Sequence, residues 1–278
     1  MSLAASESSN DANLPRLCGS LSLYPVALGA AMHNAGYRAL GLPWHYVPFA
    51  VDELEGPLGA MRSLAIRGFG ISMPFKLSIL PLLDELDDLA VQIGAVNTVV
   101  NDEGVLKGHN TDWVGASRAI EEARPLRDAR VLLLGAGGAA RAVAHGMISR
   151  GARLTICNRD DARAGALAAA TAAETVPYES RHALDEFDVL INASSRGMSD
   201  VDATSPVNED ALHGDLVVLD AVYKPLDTAL VRAARARGSR TIDGSRMLLH
   251  QAAAQFELYT LQAAPLAEMD AALRAQLA

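Results

Sequence analysis

The stretch RVLLLGAGGAARAVAHG, beginning at Arg130, constrains the fold more than any other part of the chain. Arg130–Leu134 reads as a strand buried on both faces, Gly135-Ala136-Gly137-Gly138-Ala139-Ala140 follows, and an apolar-periodic helix then runs to about Gly151. This is G-x-G-x-x-A with a strand before it and a helix after it. The first glycine permits a tight turn, the second lets the backbone approach a pyrophosphate, and the small Ala140 lets helix pack closely on strand. Phosphate then meets the unpaired N–H groups that open the helix. Turns collect glycine for many reasons, so the flanking elements carry the weight here, and they favour a dinucleotide loop over a plain turn.

Downstream, the runs TICN, DVLINA and LVVLDAV read as further buried strands separated by amphipathic helices, the pattern of a doubly wound parallel sheet. Upstream, the strand-like runs Leu17–Leu21, His45–Phe49, Gly70–Met73 and Val96–Asn101 alternate with helical patterns at Leu28–Ala39, Asp52–Ile66 and Leu77–Ile93. Asp112–Ala123 is helical and stops at Arg124-Pro125, which marks a hinge, and Met247–Leu261 forms a long helix that returns to the first domain. With 278 residues, half of them hydrophobic, two domains are expected. The expectation is an α/β protein with a disordered tail over residues 1–14, a substrate-binding domain over 15–112 and 246–278, and a Rossmann-type NADP domain over 113–245.

A formal charge of -9 with 24 scattered basic residues argues against nucleic acid as a partner. The two cysteines, Cys18 and Cys157, form neither a disulfide framework nor a metal cluster with the dispersed histidines. The opening MSLAASESSNDA lacks the positive start and apolar run of a secretory signal, and no long uncharged run suits a bilayer, so a cytoplasmic protein is expected. Monomer and homodimer are equally compatible with the sequence.

An acidic residue normally ends the second strand of an NAD site, where it holds the ribose 2′-hydroxyl. Here the strand ends in Asn158-Arg159, with Arg163 one helical turn on, and two guanidinium groups suit a 2′-phosphate, which favours NADP. Asp160 and Asp161 repel phosphate and keep NAD open. In the first domain, Ser72-Met73-Pro74-Phe75-Lys76, Gly94-Ala95-Val96-Asn97-Thr98 and Asn110-Thr111-Asp112 each put polar groups at strand or turn ends. Hydride transfer to a ketone builds negative charge on its oxygen, which a lysine can stabilise and protonate. Lys76 suits that role, a carboxylate such as Asp112 can orient it, and Asn97 can bridge the two groups.

In this order and spacing the motifs resemble the shikimate dehydrogenase family, whose pattern runs T-x-P-x-K, A-V-N-T, N-T-D and GxGGxA. Asn192-Ala193-Ser194-Ser195-Arg196-Gly197-Met198, Tyr223-Lys224-Pro225-Leu226-Asp227-Thr228 and Gln251-Ala252-Ala253 before Phe256-Glu257 extend the match, which covers about residues 16–262. The resemblance implies a substrate domain joined by two helices to a Rossmann domain, with Lys76 and Asp112 as catalytic pair. It further implies substrate contacts at Ser72, Asn97, Gln251 and Tyr223, and a cofactor site built from Gly135, Ala136, Gly137, Gly138, Ala139, Asn158, Arg159, Arg163, Ser194 and Gly244. The partner it implies is a small cyclic hydroxy acid: shikimate, quinate or an aminoshikimate analogue.

The chain also departs from the family pattern. The two serines that usually hold the substrate carboxylate align with Ala27 and Gly29, and Ser20 and Ser22 at the end of the first strand are candidate replacements. Trp113 and Arg246 stand where glycines are usual, Arg246 being either a cation for an acidic substrate or a solvent-facing residue. With S-M-P-F-K and Q-F-E-L-Y-T, these features resemble the divergent shikimate dehydrogenase-like subgroup, which implies weak action on shikimate. A nucleotide-binding metabolite sensor with little turnover is the alternative from another class.

Overall fold

The computed structural model describes residues 14–198 and 201–277. The expected tail, but for Leu14, lies outside them. In chain order the first elements are β1 (Arg16–Ser22), α1 (Leu28–Ala39), β2 (Trp44–Ala50), α2 (Glu55–Ser63), β3 (Gly68–Ile71), β4 (Glu85–Leu86), α3 (Asp88–Ile93), β5 (Thr98–Asp102) and β6 (Val105–His109). Then come α4 (Asp112–Glu121), β7 (Arg130–Leu134), α5 (Gly138–Ser149), β8 (Arg153–Cys157), α6 (Asp161–Thr171), β9 (Glu174–Thr175), β10 (Val189–Asn192) and β11 (Val217–Asp220). The last are α7 (Ala229–Ala236), β12 (Arg240–Ile242), α8 (Gly244–Thr260) and α9 (Leu266–Leu277).

These elements form two compact units. One comprises the chain up to Leu86, Val96–His109 and Gln255 onward; the other comprises Asp87–Ala95 and Asn110–Ala254. In the first, a mixed sheet runs β2-β1-β3-β5-β6-β4, parallel at β1 with both its neighbours and antiparallel through β3, β5 and β6. The β5–β6 hairpin turns on Glu103 and Gly104, whose φ of 53° and 94° give both central residues the positive values a tight hairpin loop prefers. The end of α8 and all of α9 pack here as the returning segment. A Cβ on Gly36 of α1 would lie 2.8 Å from the Phe256 ring, so the glycine is what lets helix and ring meet.

The second unit carries the sheet β12-β11-β10-β7-β8-β9, parallel throughout. Its order reverses between β7 and β10, which is the Rossmann arrangement with its ligand crevice at the switch point. Val131, Leu133, Ile156, Val189, Ile191, Val217 and Leu219 fill one side of this sheet and are all buried, as strands read as continuous apolar runs require.

The expected helix Leu77–Ile93 does not form. Pro81 lacks the N–H a helix interior needs, and a short turn at Leu80–Leu82 and the strand β4 intervene. Only α3 remains, capped where the Asp87 carboxylate accepts from Ala90 N at 2.8 Å and stopped at Gly94 with φ 67°. Two more segments than expected pack with the second unit. Ile93 and Ala95 cluster with Ala142 and Trp113, and Met247 and Gln251 of α8 lie against Gly115 of α4. The strand β6 and helix α9 were not anticipated.

Candidate active site

In the second unit, Gly135 leaves β7 with φ 115°, and a Cβ there would sit 2.9 Å from the Ala193 carbonyl oxygen after β10. Only glycine serves both demands. Gly137 then caps α5 without a side-chain partner, and a Cβ on Gly137 or Gly138 would meet no atom within 4 Å. The glycines therefore keep side chains away from the start of α5, whose opening N–H groups are the kind that hold a pyrophosphate. A cavity of about 210 Å³ lies over this loop, and Gly135, Ala136, Gly137, Asn158, Arg159 and Ser194 all line it. Gly138, Ala139 and Arg163 are exposed outside its lining, and Tyr223 and Gly244 sit apart from it, Gly244 pressed against the Val222 carbonyl.

The aspartates after Arg159 have a structural task. Asp160 caps α6, its carboxylate accepting from Arg163 N at 3.1 Å and pairing with Arg163 Nε at 3.3 Å. Its charge is thus partly spent on the helix start, while Arg159 remains on the cavity wall. Tyr178, Arg181 and Arg196 also line the cavity and were not singled out from the sequence. Arg181 lies 4.0 Å over the Tyr178 ring, and Arg196 pairs with Asp202 at 3.3 Å. Arg196 lies inside the N-A-S-S-R-G-M motif and was legible in principle; the Tyr178–Arg181 pair lies in a segment without a motif.

Beneath the Ser194 turn, Asp220 is wholly buried and accepts from Asn192 Nδ2 at 2.9 Å, Val222 N at 3.1 Å and Thr228 Oγ1 at 2.7 Å. Burial raises its pKa, with the three hydrogen bonds acting the other way. Asn192 Oδ1 in turn accepts from the backbone and hydroxyl of Ser194, so a buried carboxylate fixes the turn that borders the cavity.

Asp112 opens α4, its N–H donating to Asn110 Oδ1 at 3.0 Å, while Asn110 Nδ2 donates to the Ala95 carbonyl. Gly115 follows one turn later on the same helical face, and a Cβ there would lie 2.9 Å from Gln251 Cβ. Asp112 and Gln251 are thus brought to one side of the α4–α8 pair. Trp113 packs with Ile93, Ala95 and Ala142, beneath Arg150 at 5.8 Å from the ring centre. Arg246 pairs with Glu122, which also meets His250 Nε2 at 2.8 Å. Burial raises the Glu122 pKa, but the hydrogen bonds from Arg246 and His250 outweigh it and leave the pKa lowered.

In the first unit, Ser20, Ser22, Ser72, Lys76 and Asn97 gather at the carboxyl ends of β1 and β3. Ser72 N donates to the Leu21 carbonyl at 3.1 Å, Ile71 N to the Asn97 carbonyl at 2.7 Å, and Val96 N to the Lys76 carbonyl at 2.9 Å. Ser72 is exposed and Lys76 half-buried. Ser22 is buried, and the Ser20 hydroxyl hydrogen-bonds the Tyr46 side chain. His33 stacks on Tyr46 with ring centres 4.3 Å apart, and burial pushes its pKa down to about 3 against the opposing effect of Gln255. Gln255, one turn beyond Gln251, opens the Q-F-E-L-Y-T stretch but was given no role of its own, although a second glutamine in an alanine-rich helix is a visible signal.

Three family models match in chain order: the shikimate dehydrogenase substrate binding domain over residues 25–99, shikimate / quinate 5-dehydrogenase over 117–209, and the shikimate 5′-dehydrogenase C-terminal domain over 244–274. The chain belongs to the shikimate dehydrogenase family. It is therefore an oxidoreductase of a family acting on a CH–OH group. The shikimate dehydrogenase (NADP(+)) of Natronomonas pharaonis is 44% identical, over 88% of this chain and 93% of the relative. A shikimate dehydrogenase solved in complex with NADP+ superposes with a TM-score of 0.88 at 33% identity, covering 95% of this chain and 96% of its own. A ligand-free 5-ketofructose reductase of a Gluconobacter species follows at 0.86 and 34%, covering 94% and 99%. No helix among the described residues of this family member is long and apolar enough to cross a membrane.

Proposed function

We propose that this shikimate dehydrogenase family member is an NADP-dependent oxidoreductase that interconverts a ring ketone and its secondary alcohol, 3-dehydroshikimate and shikimate or a close cyclic hydroxy acid. The observation that carries the reading is the cavity at the sheet's switch point, which the glycine loop and Arg159 line together. The α5 N–H groups would hold the pyrophosphate, and Arg159, helped by Asn158 and Arg163, the adenosine 2′-phosphate. When bound, the dinucleotide supplies or accepts the hydride. Lys76 stabilises the growing charge on the ketone oxygen and delivers a proton to it from Nζ; in the oxidising direction it takes that proton back. Asp112 orients the lysine, while Asn97, Ser72, Gln251 and Tyr223 hold the ring substituents.

Turnover of shikimate itself should be weak. Ala27 and Gly29 offer no hydroxyl for its carboxylate, and each missing hydrogen bond to a charged group costs about 1.5–3 kcal/mol. A Cβ on Gly29 would make ordinary contacts, its nearest neighbours being atoms of Tyr46 at 3.7 Å. The same feature favours a second reading, an uncharged polyhydroxy ketone, and the ketofructose reductase relative is named for a substrate of that kind. The experiment is an initial-rate assay with shikimate and quinate, each with NADP and with NAD, on the native chain and on Ala27→Ser/Gly29→Ser. The expected result is NADP-linked oxidation with a KM for shikimate that falls at least about tenfold in the double variant. Absence of turnover in both proteins would overturn the hydroxy-acid reading.

A further inference from the structure

We infer that Gln255 and Thr98 form a hydrogen-bond relay that fixes the Asn97 side chain so that it presents its NH2, and so recognises a hydrogen-bond acceptor on the substrate. The inference rests on the reading that Asn97 meets substrate. The relay lies wholly within the first unit and starts from a group with no choice. The backbone carbonyl of Asn97 can only accept, and Gln255 reaches it with one end of its amide at 3.1 Å. That end must be Nε2. The same nitrogen lies 3.0 Å from Thr98 Oγ1, which is therefore an acceptor towards Gln255. The hydroxyl's single proton is left to point elsewhere, and the amide oxygen of Asn97 is 2.8 Å away. The hydroxyl donates to that oxygen, so Oδ1 faces Thr98 and Nδ2 faces the other way.

Thr98 is fully buried and Gln255 nearly so, which shields the relay from competing water. Gln255 and Thr98 are positioning residues, acting only through Asn97. A flipped Asn97 would take its amide oxygen away from the Thr98 proton and turn that oxygen towards substrate, attracting donors in place of acceptors.

Two measurements test this. Neutron diffraction of the full-length protein reads the protons directly: deuterons on Gln255 Nε2 directed at the Asn97 carbonyl and Thr98 Oγ1, and the Thr98 deuteron directed at Asn97 Oδ1, are expected, whereas Asn97 Nδ2 facing Thr98 overturns the relay whether or not the enzyme turns over a given acid. Kinetics then test its role with the best substrate from the assay above. Thr98→Val should raise KM about tenfold with kcat changed less than about threefold, and Thr98→Ser should restore KM. In an Asn97→Ala background Thr98→Val should add nothing. An unchanged KM in Thr98→Val, or additive losses with Asn97→Ala, would refute the role, while a native protein silent on every acid and neutral ketose removes the substrate reading and leaves the neutron result to judge the relay.

Discussion

On the proposed function the two units would meet their ligands with different materials. At the glycine loop the contacts are backbone ones: Gly135 is held at φ 115° against Ala193, Gly137 and Gly138 keep side chains away, and the charged groups stand on an open wall. At the ends of β1 and β3 the groups are side chains, backed by a buried network of Gln255, Thr98 and Asn97 and an aromatic stack of His33 on Tyr46. A backbone site tolerates sequence change except where a glycine is required. A side-chain site can change specificity by single substitutions, and on the proposed function Ala27 and Gly29 would be such changes.

That contrast is sharpest at the glycines. Gly135→Ala should cost about 2–4 kcal/mol of stability, combining left-handed strain with a clash at the Ala193 carbonyl, whereas Gly137→Ala should leave stability within about 0.5 kcal/mol and weaken dinucleotide binding instead. Urea titration and dinucleotide titration of both variants separate the effects, and equal stability losses would erase the distinction between fold glycine and ligand glycine. A somewhat smaller effect is expected at Arg159→Ala, which should weaken NADP by about 10–100-fold and NAD by little. Equal losses for both dinucleotides would remove Arg159 from the 2′-phosphate.

The last effect comes from the buried stack and depends on pH. His33 stays neutral in the folded protein down to about pH 3, so the unfolded chain binds the extra proton once pH falls below 6.5. The folded pKa is depressed for a base, hence stability is lost as pH falls, by about 1.4 kcal/mol per pH unit across that window. The acid limb of a stability–pH curve should flatten in His33→Gln; an unchanged limb would assign it to other groups.

How much was legible follows the same division. Gly135–Ala140 announced itself because a turn, a close approach and a helix start each demand a small residue at a fixed offset. Arg159's place on the cavity wall was legible from its position just past a strand end. Arg181 and Tyr178 were not, since they reach the cavity from a segment with no periodic signal. Asp160 read as an obstacle to phosphate, yet it is a helix cap, a role Asp-x-x-Arg before an alanine-rich helix also predicts. The false helix at Leu77–Ile93 came from apolar spacing that outweighed Pro81 and the capping Asp87. Gln255 was legible as the start of Q-F-E-L-Y-T but not in its role, because its partners are a backbone carbonyl and a hydroxyl far away in sequence.

The central claim is that Lys76 carries the proton for the hydride step, and the most direct test is kcat and KM of Lys76→Ala with NADP and the best cyclic substrate. The account predicts a kcat lowered by about two orders of magnitude or more with a smaller change in KM. A kcat equal to that of the native protein would contradict it.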